Sequence, residues 1–248
     1  MSERPRARVV LATNNPAKLA ELRAVVDGLE IPAEVLGLAD LPRYPEPAET
    51  ERSFEGNAII KARECALATG LPALADDSGL EVDVLNNCPG VRSARWAGPE
   101  GDDAANNELL LRQISDVPAD ERTGRFVCAM AFAIPDGQGE LRHCEVVRRE
   151  WPGLVATEHR GNNGFGYDSL FIPDDAPEVE GRRLHSAELS PEHKNEISHR
   201  GQAVRAMMLA VAGLLNIKDM SKVGMIVAEP DDDPENPAPP GEDVAAIS

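Results

Sequence analysis

The chain has 248 residues, 42% of them hydrophobic and 27% charged, the composition of a globular protein long enough to bury a sizeable core. Its formal net charge is −18; residues 219–248 carry −7 of this and leave −11 on the body, which argues against non-specific binding to nucleic acid. No apolar run approaches the roughly 20 residues that span a bilayer, and the run at 9–12 is too short for a signal-peptide core, so no membrane association and a cytoplasmic address are expected.

In chain order, residues 7–12 read as a short buried strand, followed by the polar turn Thr13-Asn14-Asn15. Pro16 opens a helix that carries Leu19, Leu22, Val26 and Leu29 at helical spacing. A second helix is expected over 54–69. The stretch Asp76-Asp77-Ser78-Gly79 stands where a strand would meet a turn, and 80–85 alternates like a strand. Residues 104–114 read as a helix and 126–134 as an apolar strand. Pro135-Asp136-Gly137 is a turn that returns 141–147 as a hairpin partner. A last helix is expected over 201–215, with Val204, Met208, Val211 and Leu215 on one face. Strands alternating with helices, plus one hairpin, predict an α/β fold with a mixed sheet.

Residues 1–218 are read as one domain. Met225 and Ile226 could still pack on it, but beyond Glu229 prolines and acids leave too little apolar surface to offset chain entropy. The tail 219–248 is therefore read as acidic, Pro-rich and disordered. The cysteines Cys65, Cys88, Cys128 and Cys144 form no C-x-x-C pair, and no H-E-x-x-H occurs; buried free thiols are expected rather than a zinc site or disulfides.

Four polar segments carry candidate chemistry. Thr13-Asn14-Asn15-Pro16-Ala17-Lys18 places amides and a lysine at a helix start, which suits a phosphate or an ordinary cap. The carboxylates of Asp76 and Asp77 suit a Mg²⁺ shared with a phosphate, and equally suit a turn. Gly161-Asn162-Asn163-Gly164-Phe165-Gly166-Tyr167-Asp168 sets glycines around two aromatics; such backbone can hug a flat ligand, and an aromatic face can stack on a base. Lys194, His199 and Arg200 cluster ahead of the last helix as donors for a carbonyl or a phosphate.

Together with N-A-x-x-K-A from Asn57 and P-G-V-x-S-A-R from Pro89, these segments resemble the inosine triphosphate pyrophosphatase family, in order, over roughly 8–215. The resemblance implies an elongated, two-lobed α/β fold with a central mixed sheet and a substrate cleft between the lobes. It implies hydrolysis of non-standard purine nucleoside triphosphates (ITP, dITP, XTP) to the monophosphate and pyrophosphate, with Mg²⁺ as cofactor and a homodimer as the assembly. By this resemblance Thr13, Asn14, Asn15, Pro16, Ala17 and Lys18 would hold phosphates, and Lys61 would add charge beside them. Asp77 would be the catalytic carboxylate and metal ligand, and Ser78 would touch substrate. Phe165 would stack on the base within the segment completed by Gly166, Tyr167 and Asp168, while Lys194, His199 and Arg200 would read the base edge.

Three departures from the family pattern stand out. Gly56 occupies a position where relatives often have glutamate, which puts a metal ligand in question; Glu55 is one residue, or about 100° of helix, away. Ser169 replaces a common proline, and Arg149 stands near a common glycine. The competing readings are a pyrophosphatase of other base preference, a non-catalytic nucleotide binder, and an interaction protein acting through its tail.

Overall fold

The computed structural model describes residues 7–28 and 33–214. The tail from 219, the domain boundary at 218, and Leu29, Leu215, Met225 and Ile226 lie outside the described residues.

Strand β1 (Ala7–Leu11) leads through the Thr13–Asn15 turn to α1 (Pro16–Gly28), with Pro16 at the first helical position, where its missing N–H leaves nothing unpaired. Strand β2 (Ala33–Gly37) runs parallel to β1. Helix α2 (Phe54–Thr69) starts at Ser53, whose Oγ accepts the Gly56 N–H, a cap worth about 1 kcal/mol. Then come β3 (Ala73–Val82), the two-residue β4 (Cys88–Pro89), α3 (Asp103–Gln113), β5 (Thr123–Pro135) and β6 (Leu141–Val155). The chain ends its described part with β7 (Phe171–Pro173), the small hairpin β8 (Glu178–Val179) and β9 (Arg182–Arg183), α4 (Pro191–Ile197) and α5 (His199–Leu214). The main sheet runs β2-β1-β3-β5-β6-β7, with β4 attached to β3; β1 is parallel to both neighbours and the rest is antiparallel.

The expected mixed α/β sheet is present, with local differences. Asp76 to Gly79 is not a strand end. It lies in the middle of β3, which is continuous from Ala73 to Val82, and the strand expected over 80–85 stops at Val82, before a short 3-10 turn at Asp83–Leu85. The hairpin arm expected over 141–147 extends to Val155, and the last helix begins at His199, two residues early. β2, β7, the β8–β9 hairpin and α4 were not anticipated. All four cysteines are free as expected, but Cys88 and Cys144 are exposed, so only Cys65 and Cys128 are buried thiols.

Side-chain alternation along β3 and β5 divides the core. Leu74, Cys128, Met130, Phe132 and Ile134 face Leu22 of α1 and Ala203, Val204, Met207, Met208 and Val211 of α5. Ala73, Ala75, Ala129, Ala131 and Ala133 point the other way, and their small size lets α2 lie close through Ala58, Ala62 and Ala66. A third cluster at the far end of the sheet joins Leu80, Val82, Phe126 and Trp151 to Leu110 and Ile114 of α3 and to Phe171. The first two clusters share one end of the sheet and the third lies at the other; β3 runs from Ala73–Ala75 in the first two to Leu80 and Val82 in the third, with its carboxylates between.

Candidate active site

β1 pairs with β3 only through Val10–Ala73 and Leu11–Leu74. From Asp76 onward β3 keeps β5 on one side but has lost β1 on the other. That notch is why a strand can carry polar residues in its middle. It is closed further along by Ser93, whose Oγ accepts the Leu80 N–H at 2.9 Å and donates to the Gly90 carbonyl at 2.6 Å. A Cβ at Gly79 would stand 2.4 Å from Ser93 Oγ and 2.6 Å from the Gly90 oxygen, so this glycine admits protein backbone rather than a ligand.

Period-2 alternation sends the adjacent carboxylates to opposite faces. Asp76 Oδ2 accepts from Lys18 Nζ of α1 at 2.7 Å and from Ser78 Oγ at 3.0 Å, and Arg200 Nε of α5 lies 3.6 Å away. The Asp76 side chain is 3% exposed. Burial alone would raise its pKa, but Lys18 and Arg200 outweigh that and hold it well below the usual carboxylate range. Asp77 faces α2. Its Oδ1 is 3.1 Å from Lys61 Nζ and its Oδ2 accepts from Asn57 Nδ2 at 3.2 Å. Burial pushes the Asp77 pKa up and Glu49 adds to this, while Lys61 offsets only part. Lys61 Nζ also donates to Glu49 Oε1 at 2.9 Å, and Arg95 holds the other Glu49 oxygen at 3.2 Å. Although burial opposes it, these two cations keep Glu49 below its ordinary pKa.

A pocket opens on the Ser78 side of β3. Phe165 forms its exposed platform, 41% accessible, with Lys194 Nζ 5.8 Å and Arg200 Cζ 5.3 Å from the ring centre. Asp168 organises this corner: its Oδ2 accepts from Lys194 Nζ at 2.5 Å and from the Phe165 N–H at 2.9 Å, and its Oδ1 from Ser186 Oγ at 2.7 Å. At Gly164, with φ +79°, a Cβ would stand 2.1 Å from Asp168 Oδ2. This glycine therefore lets the loop close on its own lysine–aspartate pair. Tyr167 is buried and donates its hydroxyl to the Ser93 carbonyl at 2.9 Å. His199 is buried against Phe126, rings 4.9 Å apart and nearly parallel. Burial first, then Arg200 and Lys194, hold its pKa well below the ordinary value, so the ring is neutral. Its Nδ1 has no hydrogen-bond partner among the described residues.

A family model described as the Ham1 family matches residues 9–210. The chain belongs to the Ham1 family. Among relatives of this Ham1-family chain, a "dITP/XTP pyrophosphatase" from Cutibacterium acnes is 53% identical over 209 residues, 84% of this chain and 98% of that protein. One of the same description from Nocardia farcinica is 50% identical over 84% of this chain and 96% of that protein. Among solved structures, a HAM1 protein from Coxiella burnetii superposes with a TM-score of 0.71 at 37% identity, covering 84% of this chain and 99% of that one. A nucleoside-triphosphatase / dITP/XTP pyrophosphatase from Mycobacterium abscessus superposes with a TM-score of 0.64 at 48% identity, covering 81% and 98%. The resemblance read from the motifs is borne out, and this Ham1-family chain is a nucleoside triphosphate pyrophosphatase, a hydrolase.

The structure gathers most of the anticipated residues of the Ham1-family chain into two groups and leaves Thr13 to Pro16 at a separate hollow. Ser78, Phe165, Gly166, Tyr167, Asp168, Lys194, His199 and Arg200 line one pocket. Lys18 joins it through Asp76, which also holds Arg200. Thr13, Asn14, Asn15 and Pro16 border a neighbouring hollow beside Gly37–Asp40; Thr13 Oγ1 accepts the Asn15 N–H, and Asn14 Nδ2 reaches Glu46 at 3.2 Å. Ala17 follows Pro16 within α1. Lys61 and Asp77 form the second group, behind β3. Glu49, Asn57 and Arg95 belong to this group and were not singled out from the sequence. Asn57 opens one of the quoted motifs and was a legible candidate; Glu49 sits on the irregular segment 41–53, which has no pattern to mark it. Ser169 has turned its departure into a contact, its Oγ 2.8 Å from His159 Nδ1, and Arg149 donates to the neighbouring Arg148 carbonyl on the surface. Among the described residues no helix is long and apolar enough to cross a membrane.

Proposed function

We propose that this chain hydrolyses purine nucleoside triphosphates bearing a 6-keto base, ITP, dITP and XTP, to the monophosphate and pyrophosphate. The observation that carries this reading is the position of Arg200. Its guanidinium lies over the Phe165 platform and also beside Asp76, which holds Lys18. One side chain thus ties a base-stacking surface to a lysine at the start of α1, where a polyphosphate is favoured. Lys194 and Arg200 are donors at the platform, so a 6-keto oxygen finds partners there. The 6-amino group of adenine would set donor against donor, a costly mismatch. Measuring pyrophosphate release from ITP, dITP, XTP, GTP, ATP and the pyrimidine triphosphates, with Mg²⁺ and with chelator, tests the reading. Equal rates on ITP and ATP would sink it.

The Lys61 site fits a magnesium ion. Glu49, on the irregular segment 41–53, and Asp77 of β3 converge on a single cation, the Lys61 ammonium. Two carboxylates without thiolate or imidazole are a hard oxygen set of the kind that holds Mg²⁺ with water and substrate phosphate. Among the described residues no three His, Cys, Asp or Glu side chains converge, so substrate and water would complete the shell. A Mg²⁺ ion held by Glu49 and Asp77 would supply charge neutralisation on the polyphosphate. Asp77, its basicity raised by burial, accepts the proton of the water that attacks the α-phosphorus. The bond to the bridging oxygen breaks, and pyrophosphate leaves with its charge met by Lys61 and Lys18. Lys194 and Arg200 hold the base edge while Phe165 stacks on it; the neutral His199 offers an uncharged ring wall. The motif resemblance carries a homodimer and a cytoplasmic address into this reading; sedimentation of the full chain tests the first.

Glu55 does not serve the metal. It lies 3.5 Å from Arg148, in a partly exposed cluster with Glu81 and Glu150. Gly56, three residues after the cap Ser53, offers no carboxylate, and a Cβ there would stand 2.6 Å from Glu51 Cβ. Glu55→Ala is expected to change the Mg²⁺ concentration for half-maximal rate by less than about twofold, since Mg²⁺ needs few protein ligands. A large rise in a Mg²⁺ titration would return Glu55 to the metal. Lys194→Ala is expected to shrink the ITP-over-ATP preference in kcat/KM by about tenfold, the size of one lost hydrogen bond that only a keto base makes. An equal loss on both nucleotides would move Lys194 to the phosphates.

A further inference from the structure

Phe165 is an exposed wall of the pocket, on a loop whose residues 157–165 are all exposed. An exposed platform stacks well only if its backbone is held, because ordering it on binding costs entropy. The hold comes from α3. Asp103 Oδ2 accepts the Gly166 N–H at 2.7 Å, and Asn107 Nδ2, one helical turn on, donates to the Gly166 carbonyl at 2.9 Å. One face of α3 thus grips a single residue, Gly166, by its N–H and by its carbonyl, next to the platform residue. Asn107 is buried, and its own Oδ1 has no partner among the described residues. Burying an unpartnered carbonyl is unfavourable, so packing alone would favour an apolar side chain there. Its Nδ2 contact to Gly166 is what an apolar residue could not supply. Asp103 also lines the pocket.

We propose that Asp103 and Asn107 are positioning residues for base binding. They act through Gly166 to hold the Phe165 ring at stacking height, while Lys18 and Lys61, the lysines read as phosphate-binding, sit on other elements, α1 and α2. This rests on the reading of the pocket as a purine site, but the test separates the two. Binding of dIMP, dAMP and inorganic pyrophosphate is measured by calorimetry on the full chain, wild type, Asp103→Ala, Asp103→Asn and Asn107→Leu. Asp103→Ala is expected to weaken dIMP by about tenfold, within the range that base–aromatic stacking supplies. Pyrophosphate affinity stays within about twofold, because no phosphate donor is touched. Asp103→Asn is expected to bind dIMP like the wild type, since an amide oxygen still accepts the Gly166 N–H. Asn107→Leu, similar in size, is expected to follow Asp103→Ala. The proposal is overturned if Asp103→Ala leaves dIMP binding unchanged, if pyrophosphate weakens as much as dIMP, or if Asp103→Asn is as weak as Asp103→Ala. Stacking is indifferent to the base edge. A wild type that binds dIMP and dAMP equally would therefore defeat the keto-base reading, while the alanine variant still decides the clamp on either monophosphate.

Discussion

Asp77→Asn is expected to lower kcat/KM for dITP by roughly 10³-fold, the scale of a lost general base, while the chain stays folded. The amide keeps the shape and can still accept from Asn57 or Lys61, but it cannot take a proton from water. Its effect on stability follows from the sign of the pKa shift. The Asp77 pKa is raised, mainly by burial, so the folded state holds this proton more tightly than the unfolded chain, where the value is about 3.9. The charged group therefore opposes folding at neutral pH, and its contribution improves only as pH falls through the raised value. Neutralising it is not expected to lower Tm at pH 7. A folded Asp77→Asn variant with near-wild-type turnover would remove Asp77 from the chemistry. A marked drop in Tm would show that the carboxylate is there for structure.

The framework was legible where local chemistry and the fold agree. Pro16 after a polar turn, the 54–69 helix and the Pro135-Asp136-Gly137 hairpin each carry their own signal. Asp76 to Gly79 was misread because two carboxylates, a serine and a glycine look like a turn. What makes them strand residues is that β1 ends at Leu11 while β5 continues, and no local pattern carries that. The same cause hid the division of labour between the two aspartates, which depends on which face each presents. Glu49 lies on a segment without periodicity, and its role appears only where Lys61 and Arg95 meet it. Asp103 and Asn107 sit four apart on a readable helix, but their target, Gly166, is some 60 residues away in sequence and nothing near α3 announces it.

Asp76→Ala is expected to cost stability where Asp77→Asn does not, although the residues are adjacent. Asp76 lies between Lys18 and Arg200, whose side chains are only 19% and 10% exposed. Removing it leaves two partly buried cations facing the space where their shared carboxylate stood, and the loss should be about 3–5 kcal/mol, as for a broken buried ion pair. In a domain of this size that lowers Tm by roughly 10 °C. The pH dependence differs as well. The Asp76 pKa is depressed, so its contribution is present above the unfolded value of about 3.9 and is lost only as pH falls through the much lower folded value. The deficit of the variant should therefore be constant from pH 5 to 8. A polyphosphate ligand brings negative charge to the same two cations, so a non-hydrolysable dITP analogue should raise Tm more in Asp76→Ala than in the wild type. Calorimetric scans with and without the analogue measure both effects. An unchanged Tm in the ligand-free variant would show that Lys18 and Arg200 do not depend on this carboxylate. A ligand shift no larger than the wild type's would place the phosphates away from Lys18, and with them the link between the base platform and the polyphosphate.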